Sequence, residues 1–318
     1  MTWAADIKGD GMSYYDSRPA PLALQAGSSF RGRTLLAPYL TLLKLRIVAL
    51  LLFTAIAGAV AASGGKLPAA DLLLLGLCTV LASGGSAALN HYFDRDMDAR
   101  MRRTCERPLP SGAIRRPTNA LWLGLALIAG GIALAATRNV AMAACLLGGA
   151  VVYAGIYTCW LKRRSPFGIV IGGLSGSLAV LAGAAAAGRP LAPSGLLLAL
   201  LVFLWTPAHF WSLALVYADD YGRVDLPTLP AVYGAPATRW AILIHIATTV
   251  ACSIALIPAF GPLFGLVAIA SGGLFLWKGA RLPFQHETAR AWTLFKLSGV
   301  YLGVIFMAAL AVSCWHGG

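Results

Sequence analysis

Apolar residues run through this chain in blocks long enough to cross hydrocarbon, and polar residues gather between them. A bilayer core of about 30 Å needs about 20 helical residues. Nine such blocks occur, near residues 44–63, 70–92, 118–137, 139–160, 168–188, 193–216, 237–258, 262–278 and 291–314. None shows the alternation of a strand, and lipid satisfies no unpaired backbone group, so the blocks predict helices rather than a barrel. The expected fold is an all-α, polytopic bundle of nine transmembrane helices. Residues 1–38, polar and broken by Gly and Pro, read as a flexible tail without a targeting signal, and residues 39–318 as a single membrane domain.

Composition agrees with that reading. The 318 residues are 58% hydrophobic and 12% charged, whereas soluble domains carry about a quarter charged residues. The formal charge of +13 raises nucleic acid as a partner class, but the placement of the bases explains the excess without one. Seven Lys and Arg lie between Arg95 and Arg116, three at Lys162, Arg163 and Arg164, and six from Lys8 to Arg46. Alternate connections hold only Lys66, Arg138 and Arg189. The positive-inside rule then predicts a cytoplasmic N-terminus and, after nine spans, a C-terminus on the outer side. The six cysteines (78, 105, 145, 159, 252 and 314) form no C-x-x-C pair and are expected to be small buried apolar residues.

With orientation set, the acids become informative. Six of the twelve fall in two clusters, Asp94, Asp96 and Asp98 after the second block, and Asp219, Asp220 and Asp225 after the sixth. Asn90, Asp94 and Asp98 are spaced i, i+4, i+8, which puts them on one helical face and leaves Asp96 off it. Like charges at that spacing, at a helix C-terminus where the macrodipole is already negative, call for a cation. Two carboxylates and an amide oxygen suit Mg²⁺, which commonly completes its shell with water and substrate phosphate. Arg100, Arg102, Arg103, Arg107, Arg115 and Arg116 follow within one loop, and Arg presents a planar fork to phosphate oxygens. Asp220 could ligate a second Mg²⁺, with Asp219 and Asp225 either assisting or solvated. His209 lies inside an apolar block, which makes it a functional candidate.

The motifs that carry these residues resemble a family. The stretch "NHYFDRDMDARMRRTCERPLPSG" carries the N-x-x-x-D-x-x-x-D signature of the UbiA-type intramembrane prenyltransferases, and "RTCERPLPSG" is similar to the branch that makes heme O. "YTCWLKRRSPFGIVIGG", "WTPAHFWSLAL" and "DDYGRVDLPTLPAVYG" resemble further motifs of that branch in the same order. There are departures, among them Ala208 for a proline, Phe167-Gly168 for a residue followed by Asn, and Val224-Asp225 for small residues.

The resemblance implies a helical bundle with a central cavity open to lipid, in a bacterial inner membrane. It implies Mg²⁺ on Asn90, Asp94 and Asp98, with Asp220 at a second ion, and diphosphate on Arg103, Arg107 and Lys162. Asp94, Asp98, Lys162 and His209 are the expected catalytic set, and His209, Trp205 and Trp211 the expected heme contacts; His209 would ligate iron or orient heme or water. The implied reaction transfers the farnesyl group of farnesyl diphosphate to a vinyl group of heme b with addition of water, giving heme O. A heme A synthase or a terminal oxidase is the candidate partner downstream. The rivals are a prenyltransferase acting on a quinone precursor and, from a different class, a membrane transporter. Transporters place their sites near the bilayer midplane, whereas these charges sit at helix ends.

Overall fold

The computed structural model of the protein describes residues 36–284 and 288–317, so the tail expected over residues 1–38 lies almost wholly outside the described residues. Among the described residues nine helical stretches are long and apolar enough to span a membrane. A short α1 (Leu36–Leu42) precedes α2 (Leu45–Ser63), α3 (Ala69–Asp98), α4 (Thr118–Ala136) and α5 (Val140–Ala150). After α5 the chain continues as a π-helical segment, Val151–Trp160, and a 3₁₀ turn, Leu161–Arg163. Then come α6 (Gly168–Ala186), α7 (Pro193–Val216), a short α8 (Ala218–Gly222), α9 (Leu229–Ala255), α10 (Ile257–Ala280) and α11 (Thr288–Gly317).

Helix α3 explains how charge can follow grease directly. At 1.5 Å per residue its 30 residues extend about 45 Å, longer than the roughly 30 Å of hydrocarbon. Asp71 in the first turn favours the positive end of the dipole, and the last two turns carry Asp94 and Asp98 beyond the apolar block.

The helices pack closely where small residues allow it. α2 and α6 meet at Gly58 and Gly183: a Cβ on Gly183 would collide with the Ala55 carbonyl, and one on Gly58 with the Val180 carbonyl. Small residues of this kind let backbones approach in lipid, where no hydrophobic force drives helices together. One apolar core joins α6, α7, α9, α10 and α11 around Val180, Leu201, Trp211, Ile242, Phe264 and Phe306. A second joins α2, α3, α5 and α6 around Ala55, Leu75, Cys78 and Met142. Large apolar side chains such as Leu73, Trp122 and Leu263 face outward, as a lipid-facing surface requires.

Three local expectations are revised. The stretch "PAFGP" (residues 258–262), which falls at the gap between the seventh and eighth apolar blocks, begins α10, with the break confined to Gly261 at φ 81° ahead of Pro262. The seventh span starts at Leu229 rather than 237, because Gly234 at φ 77° permits a kink within a longer helix. The cysteines are free, but only Cys78 and Cys252 are buried.

A cavity of about 320 Å³ lies among α2, α3, α5 with its π segment, α6 and α7. Its wall is apolar along Ile47, Leu51, Leu146 and Ala179, and Lys44, Tyr153, Thr206 and His209 supply polar atoms.

Candidate active site

The end of α3 supplies the ladder read from the sequence. Asn90, Asp94 and Asp98 are buried, at 4%, 0% and 2% exposure. The Asp96 side chain is 82% exposed and meets only Arg95, at 3.5 Å. Spacing by four residues therefore separates the acids into an inward set and an outward one, as helical phase predicts.

Each inward group is matched by a base or donor from another element. Asn90 donates through Nδ2 to Asp94 Oδ2 at 2.8 Å and to Thr158 Oγ1 at 3.1 Å. Lys162 Nζ lies 2.5 Å from Asp94 Oδ2, and Arg107 Nη1 lies 2.7 Å from Asp98 Oδ2. Lys44 Nζ donates to Asn90 Oδ1 at 2.5 Å and is 3.5 Å from the Tyr153 hydroxyl. Buried carboxylates need such partners, since an unpaired charge in a low dielectric costs several kcal/mol.

Three of these partners rest on unusual backbone. Thr158 donates to the Tyr153 carbonyl five residues earlier, the spacing of a π-helix, and so faces Asn90 from the π segment. The same segment carries Tyr153 and Tyr157 into the cavity and delivers Lys162 to Asp94. π-helical turns are uncommon and concentrate at functional sites. Lys44 occupies the left-handed region, φ 50° and ψ 53°, between α1 and α2. A non-glycine residue there stores strain of about 1–3 kcal/mol, which persists where surroundings fix it. Burial and the neighbouring Arg107 and Lys162 cations pull the Lys44 ammonium down to about 7.

The second acidic cluster divides. Asp220 is buried at 7% exposure, accepts the Arg103 backbone N–H at 3.1 Å and sits 3.7 Å from Arg223. Asp219 and Asp225 are exposed, and Asp225 is the second non-glycine residue at positive φ, 49°. The Arg103 guanidinium lies 5.3 Å over the Tyr217 ring. Beside them, burial pushes the Tyr221 phenol up, opposed by the Arg103 and Arg107 charges.

His209 and Trp205 line the cavity, but Trp211 does not. Trp211 is packed into the core at 2% exposure, edge-on to His245 at 5.2 Å. His91 is buried with both ring nitrogens lacking a hydrogen bond.

The donor set can be tested as a Mg²⁺ site on one atom. Asp94 Oδ1 is buried and accepts no hydrogen bond; Arg163 approaches no closer than 3.9 Å. With the Asn90 amide oxygen and Asp98 it forms the hard-oxygen set that Mg²⁺ takes. Among the described residues no three acids, histidines or cysteines converge to hold a metal by themselves.

Buried acids, matched bases and an apolar cavity within an α-helical membrane bundle define an intramembrane enzyme for a charged-headed, apolar-tailed substrate. The chain belongs to the UbiA prenyltransferase family, matching it over residues 51–310. It is 43% identical over 284 residues to protoheme IX farnesyltransferase 1 of Paramagnetospirillum magneticum, covering 87% of this chain and 98% of that one. It is 41% identical over 275 residues to protoheme IX farnesyltransferase of Alkalilimnicola ehrlichii, covering 86% and 91%. In fold it is similar to a UbiA homolog from Aeropyrum pernix K1, with TM-score 0.66 and 23% identity over 83% of this chain and 98% of that one. It is also similar to a UbiA homolog from Archaeoglobus fulgidus bound to GPP and Mg²⁺, with TM-score 0.60 and 17% identity over 86% and 100%.

Proposed function

We propose that the protein transfers the farnesyl group of farnesyl diphosphate to a vinyl group of heme b and makes heme O. The observation that carries the chemistry is the buried ladder of Asn90, Asp94 and Asp98, matched by Lys44, Lys162 and Arg107 beside an apolar cavity. The choice of acceptor rests on the similarity to the protoheme IX farnesyltransferases.

Asn90, Asp94 and Asp98 would hold one Mg²⁺ and Asp220 would contribute to a second, shared with the diphosphate. Divalent cations held there would supply charge withdrawal from the leaving group. The cavity wall of Ile47, Leu51, Leu146 and Ala179 takes the isoprenoid chain and excludes water from it. Lys162, Arg107 and Lys44 already stand at the acids, and Arg103, tied to Asp220 through its backbone N–H, keeps its guanidinium over Tyr217 beside them, so diphosphate oxygens reaching this point would meet preorganised donors. The C1–O bond of farnesyl diphosphate breaks and its electron pair leaves with the diphosphate. The vinyl π pair forms the new C–C bond, water captures the resulting cation beside the porphyrin, and the released proton balances the step.

The charge distribution supports an N-terminus in the cytoplasm and a C-terminus outside, with the acids at the cytoplasmic face. Incubating membranes that contain the protein with farnesyl diphosphate and either heme b or a quinone precursor tests the acceptor. Prenylation of heme b alone is the expected result, and prenylation of the quinone precursor alone would contradict it.

A further inference from the structure

His209 is held by more contacts than packing alone requires. Its ring is stacked between Trp205, at a centroid distance of 4.3 Å and 22°, and Phe295 of α11, at 4.4 Å and 30°. Both faces of the imidazole are therefore covered, and a ligand can approach only in the ring plane, where a nitrogen lone pair points. Nδ1 is engaged, 2.7 Å from Ser298 Oγ.

The proton count at Ser298 decides which nitrogen carries that lone pair. Ser298 has one hydroxyl proton and donates it to the Phe295 carbonyl at 2.7 Å. Its oxygen can then only accept from His209, so Nδ1 bears the hydrogen. Nε2 is left with a free pair and makes no hydrogen bond to the described residues, on a ring that lines the cavity. Ser298 is itself buried at 1% exposure, and its carbonyl accepts the Trp205 indole N–H at 2.8 Å. One residue of α11 thus anchors the imidazole and one of the two rings that clamp it.

We propose that Ser298 is a positioning residue that locks His209 in the Nδ1–H tautomer, so that Nε2 ligates the iron of the heme substrate. A hydrogen bond to the distal nitrogen orients a ligating histidine and raises its basicity, and losing such a partner commonly costs 10–100-fold in metal affinity. The inference rests on heme b being the acceptor.

The test uses the full-length protein in detergent, titrated with heme b without farnesyl diphosphate and read by absorbance and by the iron–imidazole stretch of the ferrous complex. Wild type is expected to show that stretch, and His209→Ala to lose it. Ser298→Ala keeps the backbone carbonyl that anchors Trp205, so it should retain the stretch at lower frequency and bind heme about 10-fold more weakly or worse. Ser298→Thr, which keeps the hydroxyl, should restore both. An unchanged stretch in His209→Ala, or unchanged frequency and affinity in Ser298→Ala, overturns the inference while heme remains the acceptor. Failure of the wild type to bind heme at all overturns the inference and the acceptor assignment together.

Discussion

At the level of single residues, the site is organised by which acid each base can reach. Asp94 and Asp98 are buried and Asp96 is not, so the three should differ sharply in consequence. Asp94→Asn and Asp98→Asn should each remove heme O formation, measured by pigment extraction. Asp96→Ala should leave turnover within about twofold, the range of a solvated surface change. Lys44 was hidden in the sequence, where a base at the start of the first span is accounted for by topology. Only its left-handed backbone and its contact with Asn90 distinguish it. Lys44→Met should lower kcat/KM for farnesyl diphosphate by about 10–100-fold, the worth of one charge-assisted hydrogen bond of about 1.5–3 kcal/mol. The control is size-exclusion behaviour equal to that of wild type. Ser298 was equally silent, since a serine in an apolar helix usually bonds its own backbone, and its partner His209 lies 89 residues away in sequence.

Among the elements, the π segment Val151–Trp160 has the largest leverage on the site. Apolar side chains there gave no signal of the wider turn, because a continuous hydrophobic run carries no phase. Its register nevertheless decides whether Thr158 meets Asn90 and Lys162 meets Asp94. Deleting Gly155, whose Cβ position is open space, should tighten the turn and rotate the residues C-terminal to it by about 100°. The expected result is a folded protein with a loss of about 100-fold in activity, in line with the cost of misplacing catalytic groups by about 1 Å. The contact of α2 with α6 makes the opposite kind of prediction. Gly183→Leu forces a side chain against the Ala55 backbone and should lower thermal stability by about 1–3 kcal/mol or more, the cost of overpacking, read as a lower Tm in detergent. The helices themselves were legible as apolar blocks, and their ends were not. "PAFGP" joined α10 because a glycine at positive φ lets a helix restart beside a proline, and the start of α9 at Leu229 was masked by Pro230, Gly234 and Pro236, which read as helix breakers.

For the molecule as a whole, the proposed orientation, with a cytoplasmic N-terminus, rests on the positions of Lys and Arg and can be checked by labelling. Single-cysteine variants keeping either Cys105, in the loop after α3, or Cys314, at the exposed end of α11, should react oppositely with a membrane-impermeant maleimide. Cys314 should label in intact cells that expose the outer face, and Cys105 only after permeabilisation; the reverse pattern would invert the topology. The bundle and its charged end were readable from the sequence because lipid imposes length and charge rules that act on composition. The central claim is chemical, that buried Asp94, joined to the cavity-lining Lys44 through Asn90, serves the formation of heme O. Its most direct test is mass spectrometry of heme extracted from cells that lack any other source of heme O and express either the wild type or Asp94→Asn. The account predicts a heme heavier than heme b by a hydroxyethylfarnesyl modification in wild type and its absence in the variant. The same heavier heme at equal yield from Asp94→Asn, or heme b alone from the wild type, would contradict it.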